Sequence, residues 1–470
     1  VIAAAGHGRR IHPRGVTLPK VLLPAAGKPL LTRQIELARD QLGVREVVLV
    51  IGHLAGRVRD TYGDGGALGL TVRYVENPDV DGGLGTLLPA IEPHVAEPFF
   101  LLLGDELYLE SNHADLRNVS EPYTAVCAIL PCDDLELVRR NYGVELSDGR
   151  VTALVEKPSA LPSPWLGCGT YVLSPEIFRF ARETPRSPRT GRLELTDVLD
   201  RAARHGGRVL PFRLSGRYLN VNTVEDLNLA NFLCRSLDFA ARSISLIIPT
   251  RNDAASIARV IEDFRPLVHE IVVMDDCSTD GTADIARRLG AVVHSQPLRY
   301  GAALRAGMEM ASGDILVLVD GNATFRAKDL GKLLEYLKDA DMVIGTRTTR
   351  QMIEQGSNMS GWLRWGNLVV GKLIEALWWN LEPRFTDAGC TYRAIWRDAW
   401  RTIRPWLTRD DAAFSPEMMI EMLRAEGRVI EVPVSFYRPR GEPPRRSRWQ
   451  TVRTALTMVR LVLAKRLNVA

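Results

Sequence analysis

Short apolar runs alternate with helical stretches along this 470-residue chain. Such alternation restricts it to folds in which helices cover both faces of a sheet. Val47 to Ile51, Phe99 to Leu103 and Leu246 to Ile248 read as buried strands, and Leu31 to Leu42 and Ile257 to Phe264 as helices between them. Strands apolar on both sides belong to parallel sheets roofed by helices. The pattern runs twice. A helix-like segment from Val224 to Ala241 ends the first cycle and Ile244-Ser245-Leu246-Ile247-Ile248-Pro249 opens the second. The expectation is therefore an α/β chain of two domains, residues 1–240 and 241–470, with mainly parallel sheets and a basic helical segment at the end.

Composition narrows the classes of function. The chain is 46% apolar and 25% charged, ordinary for a globular protein, and has no run of about 18 uncharged apolar residues to span a bilayer. Val1-Ile2-Ala3-Ala4-Ala5 leads directly into a glycine loop, which reads as a buried first strand and not as a signal peptide. Cys127, Cys132, Cys168, Cys234, Cys277 and Cys390 show no metal-type spacing, which fits a reducing, cytoplasmic setting without structural zinc. Charge is uneven at the C-terminus. Arg438, Arg440, Arg445, Arg446, Arg448, Arg453, Arg460, Lys465 and Arg466 face one acid, Glu442. A segment of that kind favours an anionic surface or a phosphate group, and no nucleic-acid-binding module accompanies it.

Two loops carry the chemistry. The first is Ala4-Ala5-Gly6-His7-Gly8-Arg9-Arg10-Ile11-His12-Pro13 followed by Leu18-Pro19-Lys20, a glycine-rich loop that brings backbone N–H groups and cations close to phosphates. With Gly27-Lys28-Pro29, Leu84-Gly85-Thr86, Leu103-Gly104-Asp105, Glu156-Lys157-Pro158, Gly169-Thr170-Tyr171, Glu194-Leu195-Thr196-Asp197 and Asn220-Val221-Asn222-Thr223, it resembles the sugar-1-phosphate nucleotidylyltransferases over most of residues 1–236. Lysine use supports this: residues 1–243 hold only Lys20, Lys28 and Lys157, each inside one of these motifs. The resemblance implies a Rossmann-like nucleotidyltransferase fold. It implies that Gly6, Gly8, Gly85 and Thr86 bind nucleotide, and that Arg10 and Lys20 stabilise the triphosphate and leaving group. Glu156 and Lys157 would bind the sugar phosphate, and Asp105, with Asn220 and Asn222, a Mg²⁺ ion. Many relatives carry aspartate in that last segment. Arg9 stands where threonine is usual, and Gly167 where asparagine often contacts the sugar.

The second loop is Asp275-Asp276-Cys277-Ser278-Thr279-Asp280-Gly281-Thr282, a strand end presenting carboxylates. Together with Ile247-Ile248-Pro249-Thr250-Arg251-Asn252-Asp253, Tyr300-Gly301-Ala302-Ala303-Leu304-Arg305-Ala306-Gly307 and Val319-Asp320-Gly321-Asn322, it resembles the nucleotide-binding half of a family 2 GT-A glycosyltransferase. Within that family residues 243–448 are most similar to polyprenyl-phosphate sugar transferases such as dolichol-phosphate mannose synthase. The resemblance implies that Asp253 and Asp276 hold the nucleoside and that Asp320 and Asn322 hold Mg²⁺ or Mn²⁺. Arg347 and Arg364 would grip an acceptor phosphate. Asp387 would orient the acceptor or donor sugar, or else serve as half of a structural ion pair, and Asp280 reads equally as an N-cap.

Two transferases on one chain imply NTP, sugar 1-phosphate and NDP-sugar as partners. The expected function is formation of an NDP-sugar and inverting transfer of the sugar to a polyprenyl phosphate. The tryptophan-rich stretch from Trp362 to Trp379 and the basic segment would rest on the inner face of an anionic membrane. The alternatives are the same activities with a soluble acceptor, or a noncatalytic, nucleotide-sugar-binding N-terminal half beside an active transferase.

Overall fold

The computed structural model describes residues 1–8, 10, 11, 18–160, 163–188, 190–355, 357, 361–381, 383–440 and 448–467, with 361–363 and 448–451 described by backbone alone. Arg9, His12, Pro13, Arg445 and Arg446, singled out above, lie outside the described residues, as do the side chains of Trp362, Leu363 and Arg448. The chain forms two compact units, Val1–Cys234 and Arg235–Ala470, and the division falls inside the helix Val224–Leu237.

The first unit is built on a nine-stranded sheet among the described residues. Its parallel part sets Ile2–Ala3 between Glu46–Ile51 and Phe99–Leu103, with Thr71–Glu76 beyond. Alternate residues of Glu46–Ile51 serve opposite cores: Val47, Leu49 and Ile51 pack on one face, Val48 and Val50 on the other. That is the period of two expected of a strand covered on both sides. The sheet is less uniformly parallel than the alternation suggests. Trp165–Leu173 runs antiparallel to Phe99–Leu103, Ala125–Pro131 and Tyr142–Ser147. A tight hairpin joins Tyr142–Ser147 to Arg150–Glu156 through Asp148 and Gly149, whose φ of 53° and 75° suit a two-residue turn of the type matching strand twist.

A small ribbon builds the first site. Arg217–Asn220 pairs antiparallel with Glu106–Leu109, and the register sets Asn220 opposite Glu106. Val221 N then donates to Asp105 O at 3.0 Å, so the segment that follows is laid beside Asp105.

The second unit is a seven-stranded sheet among the described residues, in the order Val292–Ser295, Glu270–Asp275, Ile244–Thr250, Ile315–Leu318, Arg393–Trp396, Met342–Thr346, Val429–Pro433. The first four are mutually parallel, and Arg393–Trp396 is antiparallel to both neighbours. Ile257–Phe264 is helical as its periodicity predicts, burying Ile257, Val260, Ile261 and Phe264.

The terminal helix Arg448–Arg466 packs on the helices Gly361–Leu377 and Phe414–Arg424. Here the reading of a uniformly surface-seeking basic segment needs correction. Lys465 is 3% exposed, and its Nζ lies 3.0 Å from Glu417 and 2.9 Å from Glu421, both buried. It also donates to Trp406 O at 2.8 Å. Without it buried Glu417 would lose the ammonium that compensates it, and Glu421 would be left with Arg424 Nη1 at 3.2 Å. Lys465→Ala is therefore expected to destabilise the second unit by about 3–5 kcal/mol, read as a lowered denaturation midpoint. A midpoint equal to wild type would show that the pair does not hold the helix.

Candidate active sites

In the first unit the cations and the ligand-like side chains converge. Lys20 is 8% exposed, on a short 3-10 turn, and its Nζ donates to Asp105 Oδ2 at 2.6 Å and to Asn222 Oδ1 at 2.8 Å. Arg10 Nη2 reaches the same Asn222 Oδ1 at 3.3 Å. Gly8 has φ of 63°, and a Cβ there would fall 2.8 Å from Lys20 Cβ, so only glycine lets the loop lie against the lysine. Around Gly6 the space for a Cβ is open. Asp105 Oδ2 and Asn222 Oδ1 aim at one point, now held by the ammonium. Such a pair of oxygens suits a cation, and Asn220 stands one step behind, its Oδ1 accepting from Asn222 Nδ2 at 2.7 Å.

Glu156 and Lys157 lie together, Nζ to Oε1 at 3.2 Å. Burial raises the Glu156 carboxyl. Lys157 is half-exposed and has φ of 46°, a left-handed conformation that costs a non-glycine residue about 1–2 kcal/mol. Its N–H donates to Asn141 O at 3.1 Å.

Several motif side chains are taken up within the protein. Thr86 is turned inward, its hydroxyl bonded to Asp79 O, Gly83 O and Asn77 Nδ2, and a Cβ on Gly85 would meet Leu193 at 2.8 Å. These two residues brace the loop from within, and their side-chain positions face protein. Lys28 is paired with both oxygens of Glu36. Gly167 lies beneath the Tyr142 ring, where a Cβ would come within 1.9 Å of Cε2, so glycine is required there by packing.

Glu106 escaped the sequence reading because it belongs to no motif. It is 1% exposed and accepts from Tyr108 Oη, from Tyr218 Oη at 2.7 Å and from Gly169 N at 2.9 Å. Burial raises its carboxyl to about 7.

In the second unit the strand ends present Asp253, Asp276 and Asp320. Asp253 Oδ2 accepts from Thr250 Oγ1 at 2.7 Å and Arg251 N at 3.2 Å. Burial raises its carboxyl, and the charge of Asp320 adds to the shift. A Cβ on Gly321 would fall 2.9 Å from Asp253 Oδ2, so the glycine lets the Asp320 loop close on Asp253. Asp276 pairs with Arg251 Nη1 at 3.0 Å and accepts from Leu298 N at 3.2 Å. Asp320 is held through Tyr300 Oη at 3.1 Å and Thr391 Oγ1 at 3.2 Å. Asp280 accepts from Thr282 and Ala254 backbone N–H groups, one residue ahead of Gly281, which holds the N-cap position expected of Asp280.

Two expected roles do not fit this geometry. Asn322 Oδ1 accepts from Thr324 N at 3.2 Å and Oγ1 at 2.7 Å, which occupies the oxygen a cation would need. Arg347 is closed on Asp387, Nε to Oδ2 at 2.7 Å and Nη2 to Oδ1 at 2.8 Å, both buried. The ion-pair alternative for Asp387 is the one observed, and Glu431 fixes the loop by accepting from Thr386 N and Asp387 N. Arg364 sits half-buried on the helix Gly361–Leu377. Among the described residues no group of three or more His, Cys, Asp or Glu side chains is arranged to hold a metal ion.

Residues 1–233 match the nucleotidyl transferase family and residues 245–396 match glycosyl transferase family 2. The chain is a nucleotidyl transferase domain joined to a family 2 glycosyltransferase domain. As such it is an enzyme of both classes, with one nucleotidyltransferase-like and one GT-A-like Rossmann-like unit. The nucleotidyl transferase half is similar to the UTP–glucose-1-phosphate uridylyltransferase AglF of Haloferax volcanii, 29% identical over 228 residues, 48% of this chain and 92% of that protein. The glycosyltransferase half is 29% identical over 210 residues to the low-salt glycan biosynthesis hexosyltransferase Agl6 of the same organism, covering 43% of this chain and 49% of that protein. It is 30% identical over 210 residues to the undecaprenyl-phosphate mannosyltransferase of Micrococcus luteus, covering 40% of this chain and 82% of that protein.

Proposed function

We propose that the first unit forms an NDP-sugar from an NTP and a sugar 1-phosphate and that the second transfers the sugar, with inversion, to an acceptor. The observation that carries the first step is the Lys20 ammonium, held 2.6 Å from Asp105 beside the glycine loop. As the sugar-phosphate oxygen attacks the α-phosphorus, charge grows on the phosphoryl oxygens and on departing pyrophosphate, and Lys20 and Arg10 meet that charge. Lys157 holds the sugar phosphate. Asp105 and Asn222 in the first site, once the Lys20 ammonium turns to the triphosphate, and Asp320 in the second would be the oxygens to hold a divalent ion, which would supply further charge neutralisation. In the second unit Asp253 and Asp276 hold the nucleoside of the donor. Pyrophosphate release from a panel of NTPs and sugar 1-phosphates, with products weighed by mass spectrometry, tests the reading. No release with any pair would reduce the first unit to a binding scaffold.

Two acceptors are supported by different observations. A soluble acceptor is favoured by the Arg347 guanidinium, which is committed to Asp387 and not extended toward an incoming phosphate. A polyprenyl phosphate is favoured by the similarity to the undecaprenyl-phosphate mannosyltransferase and by an exposed apolar face. Trp365 and Val369 stand out from one helix, with Trp379 just beyond it, and Val452, Leu456 and Leu463 stand out from the terminal helix among exposed Arg453, Arg460 and Arg466. Tryptophan and arginine interleaved with leucine suit the interface of an anionic bilayer. No helix among the described residues is long and apolar enough to cross one. Under the lipid reading the protein cosediments with anionic phospholipid vesicles, less so at high salt, and the Trp365→Ala, Leu456→Ala variant binds several-fold more weakly. Efficient glycosylation of a water-soluble acceptor by a protein that ignores such vesicles decides for the soluble acceptor.

A further inference from the structure

Beside a cation, asparagine differs from aspartate in one decisive respect. A carboxylate presents oxygen whichever way it turns, whereas an amide presents oxygen on one edge and two N–H donors on the other. Asn222 faces Lys20 Nζ and Arg10 Nη2, which can only donate. If the amide reversed, its N–H groups would point at two positive charges.

The structure contains what prevents reversal. Asn222 Nδ2 donates to Asn220 Oδ1 at 2.7 Å, Asn220 Nδ2 donates to Asn141 Oδ1 at 2.8 Å, and Asn141 Nδ2 donates to Leu137 O at 3.1 Å. The three amides run head to tail from a lysine that only donates to a backbone carbonyl that only accepts. None can flip without breaking two bonds. Tyr218 Oη lies 3.2 Å from Asn141 Oδ1, but its one proton goes to Glu106 at 2.7 Å, so the amide of Asn220 is the donor that fills this oxygen. The same residue reaches the other lysine, because Asn141 O accepts from the N–H of Lys157, held at its left-handed φ.

We propose that Asn141 is a positioning residue of the nucleotidyl transfer site, fixing through Asn220 the oxygen of Asn222 on Lys20 and so holding the ammonium ready for the NTP triphosphate. This rests on the reading, given above, that Lys20 meets the triphosphate.

A double-mutant cycle tests it, read by calorimetric NTP binding in the presence of a chelator and by initial rates with metal. Asn141→Leu should weaken NTP binding about tenfold, as loss of an oriented bond to a charged group does, and leave the KM for sugar 1-phosphate within about twofold. Asn222→Ala should cost at least as much, and Asn141→Leu added to it should cost nothing further, since no amide remains to be aimed. Asn220→Ala, at a half-buried position, breaks the same chain one link on and repeats the cycle should Asn141→Leu fail to fold. Effects that multiply in the double variant, or an unchanged NTP affinity in a folded Asn141→Leu protein, would overturn the proposal. Wild-type NTP affinity and rate in Lys20→Ala would instead overturn the reading beneath it.

Discussion

Lys20→Ala is expected to lower kcat for NDP-sugar formation by about 100-fold or more, the scale of losing one charge-stabilising group aimed at a transition state. The position is unforgiving because the ammonium is nearly buried and tied to Asp105 and Asn222, so no solvent cation occupies its place with the same orientation. Removing it also leaves the Asp105 carboxylate without its partner at 2.6 Å. Glycosyl transfer from added NDP-sugar should continue at the wild-type rate, because the second site is built from another sheet. Arginine at position 20 should rescue poorly, since a planar fork does not fit between Asp105 Oδ2 and Asn222 Oδ1 as a compact ammonium does. Pyrophosphate release at the wild-type rate in Lys20→Ala would remove the proposed site.

Asp320→Ala is expected to reduce glycosyl transfer by about 1,000-fold while nucleotidyl transfer persists. Asp320 is the carboxylate that Tyr300 and Thr391 hold in place by their hydroxyls, and Asn322 is turned to Thr324 and unable to replace it. Under the proposed function one acidic ligand would bear a task that two otherwise share, which makes its loss more costly than removal of a single hydrogen-bond donor. Tyr300→Phe keeps the carboxylate and loses one of its restraints, so it should fall between the two, with a raised donor KM. Equal loss of both activities in Asp320→Ala would point to a folding defect, and unfolding midpoints separate that case.

How much of this was legible in the sequence varies with the kind of interaction. Repeated alternation of apolar runs with helices announced two α/β units, and the order of motifs located Lys20, Asp105 and Asn222 long before the ribbon Glu106–Leu109 and Arg217–Asn220 brought them together. The antiparallel strand Trp165–Leu173 was not legible, because a buried strand is apolar whichever way its neighbours run. Arg347 looked free because its partner Asp387 lies forty residues away, and pairing between distant segments leaves no local trace. Lys465 did leave one. It follows Met458, Leu461 and Val462 at helical spacing on the buried face, which places it inward before any partner is known. Asn141 belongs to no motif, and an asparagine following a short helix is too common to mark a role. Its significance depends on Asn220 and Asn222 together, and therefore on the fold.

The two units share one backbone, which settles a question of supply. An organism that makes its activated sugar and spends it with separate proteins can adjust their ratio by expression, degradation or dilution. Here the ratio is fixed at one to one in every molecule. Any balance between the two activities within this protein must therefore be written into the rate constants of the two sites themselves, and under the proposed function a substitution that slows the first site reduces the donor this protein makes for the second.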